Sequence, residues 1–336
     1  MNDPIYSDLS NMDEFDYLIT HCEKFINQYG KQLHVGPCEL RISDYSFKSP
    51  QASANIIQFP IEYLQLLNLN SRLILRNQNI LKGFGNSKIE VLNKGDFILK
   101  DQTLTLNDFL LQNKLNDKTY YETPIDNRRN KISYILDLLL NSFILYHELG
   151  HVRQLNYKLN SQEVNIEFGT QDNTVKWEQQ AMEVDADIFA LNMFLNNVFY
   201  NVHQFTINDI FTNTKELILV ATYAIFLFFY MSNTSDGIND PLKSHPHPLV
   251  RFAILGNYLQ VISIENNLFN NLEDFNKFIQ DVLREFDNTL TYHFNIPNNK
   301  LYYQKFSDPL LKEVILTLQE YVRIDPSLNS NRPYKL

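Results

Sequence analysis

The spacing of apolar residues changes character along the chain. Over residues 12–30, Phe15, Leu18, Ile19, Cys22, Phe25 and Ile26 recur three and four apart, and Gly30 stands where a helix would stop. That is the spacing of one helical face, so the stretch predicts an amphipathic helix. From about 36 to 125 the apolar runs shorten to Leu40-Arg41-Ile42, Ala54-Asn55-Ile56-Ile57, Leu73-Ile74-Leu75, Ile89-Glu90-Val91-Leu92 and Phe97-Ile98-Leu99. Gly, Pro, Asn, Asp and Ser divide them, and Asn93-Lys94-Gly95-Asp96 reads as a hairpin turn. This region predicts a small, mostly antiparallel sheet.

Beyond it the helical period returns. Asp126 is a suitable N-cap for a run that reaches about Asn156, apolar nearly all round at Ile135–Leu140 and therefore buried. A second helix is expected from about Val175 to Val198 and a third over Leu217–Met231. A proline-rich loop, Pro241–Pro248, then leads to a helix from about Leu249. Two amphipathic helices follow, one carrying Leu272, Phe275, Phe278, Ile279, Val282, Leu283 and Phe286, the other over about 308–323. The pattern predicts an α+β fold: a small sheet (about 36–125) packed on a helical core (about 126–262). A domain over 1–262 is expected, with 263–336 as a C-terminal helical extension packed on it.

Composition narrows the functional classes. The chain has 336 residues, of which 44% are hydrophobic and 20% charged, enough for a sizeable core and too little charge for disorder. A net charge of −10 argues against nucleic acid as a partner, since a duplex-binding face is basic. Nine glycines and no GxGxxG or GxxxxGK[ST] run argue against a nucleotide loop. Two cysteines, Cys22 and Cys38, cannot build a disulfide framework. The first residues lack the basic and apolar segments of a signal peptide, so a cytoplasmic location is expected. Leu217–Met231 has fifteen residues without a charge, short of the ~20 that span a bilayer. It reads as a buried helix, with membrane association as the lesser alternative.

The chemistry concentrates at His147-Glu148-Leu149-Gly150-His151. On a helix, positions i and i+4 share a face, so His147 and His151 can aim ring nitrogens at one ion. Glu148, turned by about 100°, falls beside a metal-bound water, where a general base would stand. Gly150 costs a helix about 1 kcal/mol relative to alanine and suggests close approach of another backbone. A catalytic zinc normally has three protein ligands and one open position. The next helix offers Glu183-Val184-Asp185-Ala186-Asp187-Ile188-Phe189-Ala190. Glu183 and Asp187 lie one turn apart on one face, with Asp185 on another. Glu183 is assigned as the third zinc ligand and Asp187 as the carboxylate that orients a ligand histidine. Ala186 and Ala190 are small enough to let the two helices close.

HELGH followed by ExxADxFA resembles the gluzincin-type zinc metallopeptidases, particularly the HtpX and CAAX-endopeptidase group. It is also similar to the Lit-type phage-exclusion peptidases of bacteria. The resemblance covers roughly residues 130–255. It implies a zincin core, with Glu183 as third ligand supported by Asp187. It also implies that a histidine six residues before an arginine faces the metal and binds the oxyanion or the substrate backbone; His245 and Arg251 in His245-Pro246-His247-Pro248-Leu249-Val250-Arg251 match, with His247 as the fallback. The absence of clear spanning helices favours the Lit-like branch, whose implied role is to cut a host protein in defence. The expected activity is zinc-dependent hydrolysis of a protein or peptide substrate. The alternative is an inactive zinc-bound scaffold or sensor, for which Glu148 would have no use.

Weaker signals carry blander expectations. His21, Cys22, His34 and Cys38 could be combined into a structural zinc site, but adjacent helical residues diverge and Cys22 falls on an apolar face. His203 and His293 read as surface residues, and Trp177 as a packing residue of the Glu183 helix. Ala52–Phe59 reads as a strand that could lie against an extended substrate, though an ordinary sheet strand is the simpler reading.

Overall fold

The structure is a computed structural model, and it describes residues 20, 23, 38–43, 50–53, 56–90, 123–160, 177–207, 210–231, 245–265, 267–294 and 309–324. Three short strands come first, β1 (Glu39–Ser43), β2 (Gln51–Ser53) and β3 (Ile56–Pro60). The helices are α1 (Ile61–Leu75), α2 (Asn127–Asn160), α3 (Trp177–Ile207), α4 (Thr214–Met231), α5 (Pro248–Glu265), α6 (Leu272–Phe294) and α7 (Pro309–Ile324). The described residues are thus mostly helical with one small sheet, consistent with the α+β expectation.

The sheet departs from the mostly antiparallel one that was predicted. Its order is β1-β3-β2. β1 runs parallel to β3, Glu39 opposite Ile56, and β2 antiparallel to it, Ala52 opposite Ile57. Strand direction alternates in chain order, so the neighbours β1 and β3, two steps apart, run the same way. β2 is an edge of this sheet and β3 its centre, so Ile56–Phe59 cannot offer a free edge.

Leu73-Ile74-Leu75 is not a strand but the last turn of α1. The residues that made this stretch look broken, Asn68, Asn70 and Ser71, are buried within the helix. Asn68 Nδ2 donates to Asp137 Oδ2 at 2.8 Å, so this residue, which resembles loop punctuation, is instead satisfied between α1 and α2. Ile89 ends a single 3-10 turn, Ser87–Ile89. The expected strands from Val91 onward, the turn at Asn93–Asp96, and the helix over 12–30 apart from Thr20 and Glu23 (both helical) lie outside the described residues.

α2 is the axis of the molecule. Its 34 residues make a rod about 50 Å long at the standard rise. Asp126 caps it, Oδ1 accepting from Arg129 N at 3.0 Å, as an N-cap carboxylate does. α2 lies against α1, α3, α4, β2 and β3, and α7 lies against α3 and α5. Ile132, Leu136, Leu140, Phe143 and Leu149 are almost wholly buried along it. The ring of Phe143 meets those of Phe194, Phe228 and Phe229 at 5.5–6.0 Å between centroids, a range in which aromatic pairs attract. α4 is buried along nearly its whole apolar run, as expected of a helix without a polar face. Among the described residues no helix is long and apolar enough to cross a membrane.

Candidate metal centre

The site forms where α2 and α3 meet. A Cβ built on Gly150 would lie 2.9 Å from Ala186 Cα and 3.1 Å from Ala186 Cβ. Only glycine opposite a small residue permits that approach, and it brings the carboxylates of α3 over the histidines of α2. Gly150 and Ala186 were read in these roles from sequence. Trp177 opens α3 and packs against the core.

His147, His151 and Glu183 present nitrogen and oxygen atoms within 4.8 Å of one another, a group that can hold a metal ion. His147 Nε2 and His151 Nε2 are 3.1 Å apart. Glu183 Oε2 is 3.4 Å from His147 Nε2, and Glu183 Oε1 is 3.3 Å from His151 Nε2. Zinc–nitrogen and zinc–oxygen bonds of about 2.1 Å place the corners of a tetrahedron about 3.4 Å apart. Donor spacing and donor chemistry therefore both fit a small divalent ion.

Each of the three side chains is held from behind. Asp187 Oδ1 lies 2.9 Å from His147 Nδ1. The same carboxylate takes Arg251 Nε and Nη2 side by side, both at 2.7 Å, the bidentate geometry that suits guanidinium to carboxylate. Arg251 is itself buried, with Nη2 3.6 Å from Glu183 Oε2. On the other side, His151 Nδ1 is 3.0 Å from Gln154 Oε1. Gln154 Nε2 donates to Met182 O at 2.9 Å and to Asp185 Oδ2 at 2.8 Å. Arg153 completes this arm by pairing with Asp185 and lying over the Phe189 ring.

His245 and His247 divide as their positions suggest. His245 Nε2 stands 3.3 Å from Glu183 Oε1 while its side chain stays 63% exposed, so it faces the site from the solvent side. His247 caps α5: its Nδ1 accepts from Leu249 N at 3.1 Å, and its carbonyl accepts from Val250 N and Arg251 N. His245 is thus the histidine at the site.

The charges are strongly coupled. Burial alone would lower the His147 pKa, but the Asp187 and Glu183 carboxylates outweigh it and push it up to about 10. Burial likewise opposes the His151 charge, and Glu183 overcomes it, so that pKa also rises. Burial would raise Glu183, but the two histidines hold it well below the usual carboxylate range. Asp187 is lowered too, Arg251 and His147 outweighing its burial. Glu148 goes the other way: burial raises it more than its cationic neighbours lower it. His245 is lowered: desolvation where its ring meets the site, with the cations Arg251, His147 and His151, outweighs Glu183.

A cleft of about 280 Å³ opens beside the histidines, lined by Ala52, His151, Leu155, Met182, Glu183 and His245 among others. The edge strand β2 therefore borders the same space as His151 and Glu183.

Sequence reading missed Gln154, Asp185 and Tyr63. Gln154 lies three residues after His151 on the same helical face, a spacing that a solvent-facing glutamine would share. Asp185 was read as pointing elsewhere; it does, into the buried Arg153–Gln154 arm. Tyr63 of α1 lies near enough to Glu148 for that charge to reinforce burial in raising the phenol, with Arg251 acting against it. No motif announces it. Of the second histidine–cysteine set, only Cys38 is described; it is buried, which pushes its thiol up to about 11. The side chains of His203 and His293 lie outside the described residues.

No curated protein and no solved structure matches this chain significantly. Residues 110–269, a little under half of the chain, match the family Peptidase U49. That span contains His147, Glu148, His151, Glu183, Asp187, His245 and Arg251 together with the cleft wall on α2 and α3, and it supports assignment to a peptidase family.

Proposed function

We propose that this protein is a zinc-dependent endopeptidase with His147, His151 and Glu183 as metal ligands. The observation that carries the reading is the meeting of these three donors at tetrahedral spacing beside the buried Glu148 and an open cleft. Two imidazoles and one carboxylate leave a divalent zinc site with one net positive charge. Zinc bound there would polarise a peptide carbonyl and lower the pKa of a bound water toward about 7.

The rest of the work falls to side chains. Glu148 follows His147 and is turned by about 100° around the helix, beside the ligands. Its burial raises its proton affinity, which suits a base that takes a proton from the attacking water and passes it to the leaving amine. His245 faces the cleft, and desolvation against the site together with Arg251, His147 and His151 disfavours its charged form. As a neutral imidazole it can donate one N–H to the developing oxyanion. Arg251 was expected in that role as well. With Nε and Nη2 on Asp187, we assign it instead to holding Asp187, and through Asp187 the orientation of His147. An extended substrate would lie along β2, whose edge position and Ala52 border the cleft, by addition of a strand. The resemblance to Lit-type peptidases makes a host protein cut in defence the substrate class to test first.

The test is metal analysis together with Glu148→Gln. Zinc should remain at one per chain, while hydrolysis should fall by about 10²–10⁴-fold, the range general acid–base catalysis contributes. Comparing protein termini in cells expressing either form would name the substrate. Unchanged proteolysis in Glu148→Gln would remove Glu148 as the base; zinc bound but no proteolysis by either form would leave the scaffold alternative.

A further inference from the structure

We infer that Gln154 is a positioning residue that fixes the tautomer of His151 and so presents its Nε2 lone pair to the metal centre. The inference rests on the proposed metal-ligand set. Its argument is a matter of donors and acceptors. A glutamine amide has one oxygen that accepts and one NH₂ that donates. Two partners of Gln154 can only accept: the Met182 carbonyl, 2.9 Å from Nε2, and the Asp185 carboxylate, 2.8 Å from Nε2. The NH₂ must therefore point at them, and the amide cannot turn over without setting oxygen against two acceptors. Its Oε1 then faces His151 Nδ1 at 3.0 Å. Only a protonated Nδ1 satisfies that contact, which leaves Nε2 of a neutral ring bare on the side where Glu183 Oε1 and His147 Nε2 stand 3.3 and 3.1 Å away.

The arm is rigid. Gln154 and Asp185 are both fully buried, and Arg153 pairs with the same Asp185 Oδ2 that accepts from Gln154. The two ligand histidines are thus oriented by different chemistry. His147 has a carboxylate, Asp187, behind its Nδ1; His151 has a neutral amide. A carboxylate behind both rings would add one more negative charge to a buried site that already contains Glu148, Glu183 and Asp187. The amide orients the ring without that charge.

The test compares zinc affinity, read by competition with a fluorescent chelator, in the full chain and two variants. Gln154→Met keeps the length of the side chain and removes the acceptor. It should bind zinc 10–100-fold more weakly, the usual cost of losing a partner behind a metal ligand. Gln154→Glu keeps an acceptor of the same reach; its second oxygen meets Met182 O and Asp185, so it sits there as the neutral acid and donates. It should stay within a few-fold of wild type. Circular dichroism and the thermal midpoint without metal serve as the fold control. Wild-type affinity in Gln154→Met, or an equal loss in Gln154→Glu, would overturn the inference while leaving the metallopeptidase reading intact. A wild-type chain that binds no zinc would overturn both.

Discussion

At the residue scale, His147 has a carboxylate at each ring nitrogen: Asp187 Oδ1 2.9 Å from Nδ1 and Glu183 Oε2 3.4 Å from Nε2. Its pKa rises to about 10 as a result. A metal needs the unprotonated ring, so it must displace a proton there. Zinc binding near neutral pH is therefore expected to release at least one proton. Titration calorimetry in two buffers of different ionisation enthalpy would give the number; equal heats would contradict it. The sign for the metal-free chain is opposite. With a folded pKa raised from 6.5 to about 10, the pairing of His147 contributes its full stability below about pH 6.5 and loses it as pH rises through 10. Zinc-free protein should thus lose stability between those limits while zinc affinity increases. His147, Glu148 and His151 were legible because a pentapeptide compresses their geometry into a fixed spacing. Gln154 and Asp185 were not, because a polar residue on a helix gives the same signal whether it meets water or a buried partner. Only tertiary contact separates the two.

At the scale of elements, the spacing of α2 and α3 is set at one point. Gly150→Ala would put a methyl 2.9 Å from Ala186 Cα and 3.3 Å from Ala186 O. These are backbone atoms, so no rotamer relieves the overlap and Ala186→Gly would not remove it. Alanine gains about 1 kcal/mol of helix propensity over glycine, but overpacking typically costs 1–3 kcal/mol. The helices must part by a few tenths of an ångström, and Glu183 moves away from both histidines. The expected outcome is little change in helix content, a modest fall in the unfolding midpoint, and zinc affinity lower by at least tenfold. Chelator competition beside a denaturation curve checks it, and wild-type affinity would show that the approach does not set the ligand spacing. The glycine, the two alanines and the apolar run of α2 made this pair of helices readable. α1 was not, because Asn68, Asn70 and Ser71 imitate the breakers of a sheet region, and only the fold shows them buried, with Asn68 paired to Asp137 of α2.

At the scale of the whole molecule, a second buried arginine joins the chain before α2 to the helices after it. Arg129 is completely buried and donates to five backbone carbonyls, those of Leu75, Asn77, Ile80, Leu81 and Phe84. Glu90 lies 3.8 Å from it and accepts from the amides of Ile125 and Asp126. Glu285 of α6 takes the amide of Leu81, a residue at φ 50, and the hydroxyl of Tyr223 on α4. α1, α2, α4 and α6 are thereby tied through residues 75–90. Sequence offered one clue: Arg129 shares a helical face with Ile132, Leu136 and Leu140, where a cation is costly unless paired. Arg129→Met would leave those carbonyls and Glu90 without their cation. Breaking a buried pair from one side costs roughly 3–5 kcal/mol. Yet Arg129 precedes His147 by eighteen residues, about 27 Å along α2, and none of its partners touches a ligand. The folded fraction of Arg129→Met should therefore bind zinc as wild type does, while its unfolding midpoint falls sharply. Gln154→Met should do the reverse. If Arg129→Met lost zinc affinity as steeply as stability, the two networks would be one, and the separation between what holds the fold and what orients the centre would fail.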